Sequence, residues 1–111
     1  MSIVKPSPTT TSDPPIHAAH VVIFSWVRCP YCVRAKAMLM PMTKNIKVFE
    51  LDQMGMQGET FHHRIIQSTG HETVPAIYIG GTFIGGYNEV DALYKNGNLQ
   101  PLIEGGTTMP A

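Results

Sequence analysis

Charge is scarce in this chain and evenly split. Of its 111 residues only 14% are charged, eight basic and eight acidic, and the formal net charge is zero. No excess of one sign is present to attract nucleic acid or an anionic membrane surface. No apolar run approaches the roughly 20 residues of a membrane span. The N-terminus has neither the hydrophobic core of a secretory leader nor the arginines of a mitochondrial transit peptide. From these missing signals a cytoplasmic protein is expected. Cysteine is nearly absent too, with only Cys29 and Cys32. Two thiols are not a disulfide framework of the secreted kind, and so short a ring constrains the unfolded chain little. The value of the pair is chemical, and a reducing compartment in which it cycles suits it.

Metal ligands are equally sparse. One Cys-x-x-Cys supplies two of the four donors a structural zinc wants. The histidines His17, His20, His62, His63 and His71 show no His-x₃₋₅-His spacing. His62 and His63 are adjacent on a predicted helix and point to different sides. No metal site is expected.

What the chain does contain is one domain of modest core, residues 18–105. Residues 1–17 hold Pro6, Pro8, Pro14 and Pro15 among Ser and Thr, and read as a flexible arm in solvent. Residues 106–111 read as a loose tail. Residues 21–25 (VVIFS) read as a buried strand. A helix is predicted over 30–40, with Cys32, Ala35 and Leu39 on one side and Pro41 as its stop. A strand over 46–51 alternates in polarity. A helix over 58–68 is opened by Gly58, carries Phe61, Ile65 and Ile66, and is closed by a left-handed Gly70. Residues 76–79 and 82–84 form a hairpin around Gly80-Gly81, and Gly85-Gly86 breaks its pairing. A helix over 87–96 packs Val90, Leu93 and Tyr94, Gly97 caps it, and residues 99–103 add a last turn. The order β-α-β-α-β-β-α is an α/β class with one parallel pair and a right-handed crossover.

The chemistry concentrates in Cys29-Pro30-Tyr31-Cys32, where the first strand hands over to the first helix. The first sulfur is placed over the helix's unpaired N–H groups and positive dipole end. Together with Arg28 this favours the thiolate, which is the form that exchanges disulfides. Pro30 suits the first helical position. Cys32, one turn on, is close enough to close a small ring and reads as the resolving thiol. Tyr31 reads as a wall against a peptide-like thiol.

The run VVIFSxxxCPYC, with Thr73-Val74-Pro75 and Gly85-Gly86 downstream, resembles a class I dithiol glutaredoxin of the thioredoxin-like superfamily. The resemblance spans residues 20–103. It implies a four-stranded mixed sheet, two strands parallel plus a C-terminal hairpin, flanked by helices. It implies reduction of protein disulfides and glutathione mixed disulfides, with glutathione or a related thiol as co-substrate and no tightly bound cofactor. A monomer acting on oxidised or glutathionylated proteins is expected. By the same resemblance Pro75 is cis and packs on the sulfurs, and the Val74 backbone beside Thr73 pairs with an extended ligand. Gly86, Asn88 and Glu89 bind the γ-glutamyl end of glutathione, Glu89 standing for a more usual Asp. The alternative is an iron–sulfur carrier or a redox-sensing adaptor. Pro30 argues against a cluster, because cluster-binding relatives tend to lack it.

Two departures matter. Trp26 stands where many glutaredoxins have Lys, and His62 where many have Gln or Arg. Those positions grip the glycine carboxylate of glutathione in the family. Loss of a charge-assisted contact costs on the order of 1.5–3 kcal/mol unless a group such as Arg28 replaces it. Two readings follow: glutathione is still held through Val74, Asn88 and Glu89, or the physiological thiol is one without that carboxylate. Trypanothione, in which spermidine is amide-linked to two glutathiones, fits, with Trp26 offering its ring to the polyamine.

Overall fold

The computed structural model describes residues 13–104. Residues 1–12 of the expected arm and the expected tail lie outside them. Four strands, β1 (Val21–Ser25), β2 (Ile46–Glu50), β3 (Ala76–Ile79) and β4 (Thr82–Gly85), form one sheet in the order β2-β1-β3-β4. β2 runs parallel to β1, and the hairpin β3–β4 adds antiparallel strands. The helices are α1 (Pro30–Leu39), α2 (Gly55–Thr69), α3 (Tyr87–Lys95) and α4 (Leu99–Glu104).

β1 reads as an unbroken apolar run because both of its faces are covered. Its side chains alternate between two cores. Val21 and Ile23 pack with Ala35 and Leu39 of α1, Val90 of α3, and Leu99 and Ile103 of α4. Val22 and Phe24 pack on the other face with Phe61 and Ile65 of α2 and with Tyr78. The sheet is therefore a filled central layer, and the C-terminal end of β1 leads directly into the cysteine loop. No helix of the described residues is long and apolar enough to cross a membrane.

Several local expectations shift. Residues 13–17 do not run free, because Ile16 packs against the second core. Pro41 does not stop α1 at Met40; the helix ends at Leu39 and tightens into a 3₁₀ turn, Met40–Met42. Leu51 leaves β2 for a second 3₁₀ turn, Leu51–Gln53, where it is buried. Gly85 does not break the hairpin; it pairs with Ile77 beyond a register shift. In α3 the covered stripe is Tyr87, Val90 and Leu93, a three-residue step that turns Tyr94 outward, 55% exposed. The tight turn is as expected. Gly80 and Gly81 have φ of 62° and 80°, the pair of positive angles that a two-residue hairpin of the right twist requires.

Gly58 is the largest surprise. It does not open α2 but lies inside it, buried, one step before Phe61 on the core-facing stripe. There the helix backbone rests on the Leu51 turn so closely that a Cβ would overlap the Leu51 carbonyl oxygen.

Candidate active site

β1 ends at Ser25, and residues 26–28 loop over to Cys29, the N-cap of α1. The loop is tied down from both sides. The Val27 N–H is shared between both oxygens of Asp52, each at 3.2 Å, and the Cys29 N–H donates to the Trp26 carbonyl at 3.2 Å. Pro30 occupies the first turn, as expected. Both cysteines are free thiols, Cys29 part-exposed and Cys32 buried.

Cys29 caps the helix by its backbone alone. Its side chain makes no bond to the helix amides. It turns toward the loop before β3, where its thiol donates to the Val74 carbonyl at 3.7 Å. The Val74-Pro75 bond is cis. The loop is held from below by His71, whose Nε2 meets the Pro75 carbonyl at 3.1 Å and the Thr73 hydroxyl at 3.4 Å. A carbonyl only accepts, so that nitrogen carries the proton. His71 is a loop-holding residue that the sequence reading did not single out.

Cys32 lies one turn deeper. Its sulfur accepts the Trp26 N–H at 3.4 Å. Burial pushes the thiol up from its usual 9.0 to about 11, against the pull of the Trp26 N–H and the Ser25 hydroxyl. The folded protein thus keeps this proton after the unfolded chain has lost it. Stability from this group is complete below pH 9 and is lost as pH rises toward 11. Tyr78, raised by burial, and Lys95, raised by its bond to Asp91, act in the same direction. They are common to wild type and Cys32→Ser. Urea midpoints measured across this range are therefore expected to fall more steeply for reduced wild type than for Cys32→Ser, and equal slopes would contradict the assignment.

Around the sulfurs the structure gathers most of the expected side chains. Tyr31 is exposed and lies against Tyr87 of α3 at 5.9 Å between ring centroids, with the Arg34 guanidinium over the Tyr31 ring, 5.5 Å from its centroid. Arg28 is exposed and makes no ion pair among the described residues. Trp26 and His62, expected at the glycine end of the thiol, meet each other edge-on at 6.0 Å. His62 Nε2 also reaches the Glu72 carbonyl at 3.0 Å. At the other end Gly86 caps α3. Its N–H donates to the Glu89 carboxylate at 2.8 Å, so those two groups satisfy each other. Asn88, the next expected contact, is exposed in the first turn. Among the described residues no group of three or more His, Cys, Asp or Glu side chains converges as metal ligands.

A part-exposed thiol at a helix start, a buried one a turn below and a cis-proline loop facing the outer sulfur are the arrangement of a CxxC dithiol site on a thioredoxin-like fold. The glutaredoxin family model matches residues 21–84, and the chain belongs to the glutaredoxin family. Among solved structures, it is similar to the solution structure of the dithiolic glutaredoxin 2-C-Grx1 from Trypanosoma brucei brucei. The identity is 49%, with 80% of this chain and 91% of that one covered and a TM-score of 0.75. A buckwheat glutaredoxin–glutathione complex matches at 33% identity and a TM-score of 0.74, with 79% of each chain covered. Human glutaredoxin-2, mitochondrial, is 45% identical over 83 residues, 75% of this chain and 50% of the relative. The chain thus spans about half the length of that curated relative. The cytoplasmic expectation gains no support from relatives named for other compartments.

Proposed function

We propose that the protein is a thiol–disulfide oxidoreductase that reduces protein disulfides and glutathione mixed disulfides at the expense of a glutathione-type thiol. The observation that carries this reading is the pairing of a part-exposed Cys29 with a buried Cys32 directly beneath it. Cys29 attacks a disulfide sulfur as thiolate, and the group it displaces leaves as a thiol. The mixed disulfide so formed on Cys29 is resolved by Cys32 or by a second thiol. The carbonyl of Val74 faces the reacting sulfur, and among the described residues no backbone group bonds the Val74 N–H. An extended γ-glutamyl-cysteinyl backbone would pair there. Its γ-glutamyl carboxylate would meet the first-turn N–H groups of Tyr87 and Asn88. A monomer acting on oxidised or glutathionylated proteins suffices for this scheme. Turnover of a glutathionylated peptide with glutathione as sole reductant tests it; no turnover by wild type would reject the glutathione step.

One feature favours trypanothione over glutathione as the physiological thiol. Because the Glu72 carbonyl only accepts, His62 Nε2 carries the proton. With its ring uncharged, His62 would offer Nδ1 as an acceptor, which repels a carboxylate at the glycine end but suits an amide N–H there. Trp26, 43% exposed, adds an aromatic face for the polyamine cation. At the glycine end trypanothione carries an amide N–H and a polyamine cation where glutathione carries a carboxylate. The expected result is a lower KM for trypanothione than for glutathione. Trp26→Lys restores a cation at this end and should lower the glutathione KM about tenfold, the worth of one charge-assisted hydrogen bond. A wild-type preference for glutathione would end this reading while leaving the exchange chemistry in place.

A further inference from the structure

Ser25 is the buried polar side chain of the described core, with no exposed surface at all. A buried hydroxyl persists where it is hydrogen-bonded. β1 and β2 are parallel with Ser25 directly opposite Glu50, and the Ser25 hydroxyl donates to Glu50 Oε1 at 2.6 Å. The Trp26 N–H that bonds the Cys32 sulfur at 3.4 Å is attached to the Ser25 carbonyl carbon, which sets Ser25 beside that sulfur, where its hydroxyl pulls the thiol's pKa down. Glu50 is itself held: its Oε2 meets Lys36 Nζ at 2.6 Å, with side-chain exposures of 18% for Lys36 and 26% for Glu50. Lys36 lies one turn beyond Cys32 on α1, so one helix supplies both the thiol and the ammonium. The result is a continuous row from Cys32 through Ser25 and Glu50 to Lys36, leading from the buried sulfur toward solvent.

Resolution needs Cys32 as a thiolate, yet the thiol is held near 11 by burial. In neutral water such a thiol is almost never ionised, so ring closure needs a base. A serine hydroxyl has one proton to give and lone pairs with which to receive another.

We propose that Ser25 and Glu50 form a proton relay that discharges Cys32 as it attacks the mixed disulfide on Cys29. This rests on the reading of the cysteine pair as an exchange centre. The Cys32–Cys29 sulfur bond forms while the bond from Cys29 to the outgoing sulfur breaks, and that sulfur leaves as thiolate with the bonding pair. The Cys32 proton passes to Ser25 Oγ, and the Ser25 proton passes to Glu50 Oε1. One disulfide replaces another, so no further oxidant or reductant enters. Negative charge moves from Glu50 to the leaving thiolate. Lys36 orients the carboxylate beforehand, and Glu50 then sheds its proton to water. Ser25 and Glu50 touch no substrate; they act through Cys32.

The sign of the Glu50→Gln effect separates a relay from a bystander. As a bare negative charge, Glu50 would hold the proton on Cys32, and its removal would speed closure. As the end of a relay, its removal slows closure. The reaction of reduced protein with one equivalent of 5,5′-dithiobis(2-nitrobenzoate) in stopped flow reads both steps. The first thionitrobenzoate release reports attack by Cys29, and the second reports closure by Cys32. Closure relative to first release is expected to fall on the order of a hundredfold in Glu50→Gln and in Ser25→Ala, the usual worth of a positioned base. The double variant should lose no more than either single one, because the two residues act in series. Closure that is unchanged or faster in Glu50→Gln, with a normal first release, overturns the relay and leaves the exchange centre intact. A lost first release in wild type would instead overturn the exchange centre. Should Ser25→Ala not fold, Glu50→Gln, isosteric and partly exposed, decides alone.

Discussion

Cys29→Ser is expected to abolish reduction of both a glutathionylated peptide and a protein disulfide, whereas Cys32→Ser is expected to keep the first and lose the second. The asymmetry follows from position. Cys29 is the part-exposed thiol, facing the Val74 carbonyl across the cleft. Cys32 is buried behind it and bonded by the Trp26 N–H. A substrate disulfide can reach only the outer sulfur. Once that sulfur carries glutathione, a second small thiol can approach from the same open side, and Cys32 is not required. Once it carries a protein, the approach is crowded and the inner sulfur must displace it. Steady-state rates on the two substrates, for wild type and both variants, give four ratios that this geometry orders in advance. Equal loss in the two variants on the glutathionylated peptide would mean that Cys32 takes part in every cycle.

Gly58→Ala is expected to destabilise the fold by about 3 kcal/mol, the upper end of ordinary overpacking. Alanine is the better helix former by roughly 1 kcal/mol, so propensity alone would make the change favourable. Packing decides otherwise. The added Cβ would overlap the Leu51 carbonyl oxygen and approach its carbonyl carbon to 2.9 Å. Those are backbone atoms of a turn whose side chain is buried in the second core, so they have little freedom to withdraw. A urea midpoint well below wild type is the expected reading. A midpoint equal to or above it would show that the turn yields. Gly70 makes the comparison sharp. A Cβ there meets nothing within 4 Å, and only its φ of 77° resists substitution.

The residues that were legible in the sequence are those whose reason is local. Val21 to Ser25 is apolar throughout because both faces of the strand are covered, and a five-residue run between turn signals shows as much. Cys29-Pro30-Tyr31-Cys32 announces a helix start with its thiols on it, and Gly80-Gly81 announces a tight turn. The cis Val74-Pro75 bond was legible only through the family resemblance, since a proline before a strand has an ordinary explanation as well. What stayed hidden depends on tertiary neighbours. Gly58 looked like a helix opener because nothing in its vicinity in sequence reveals Leu51 under it. Ser25, Glu50 and Lys36 come from three elements, and only the parallel register of β1 and β2 brings the first two face to face. That Glu89 Oε1 accepts the Gly86 N–H depends on the turn between β4 and α3, which the sequence does not display. Tyr94 looked like core because it lies four residues after Val90, but the covered stripe of α3 steps back to Tyr87 instead.

Exchange through Cys29, with Cys32 as the inner resolving thiol, can be trapped at its mixed disulfide. Reduced Cys32→Ser is mixed with a glutathionylated peptide, quenched with acid, and its intact mass and digest are read. One glutathione per chain is expected, in disulfide linkage to Cys29, with the peptide released as a free thiol. A chain that stays unmodified while the same substrate is turned over would contradict it.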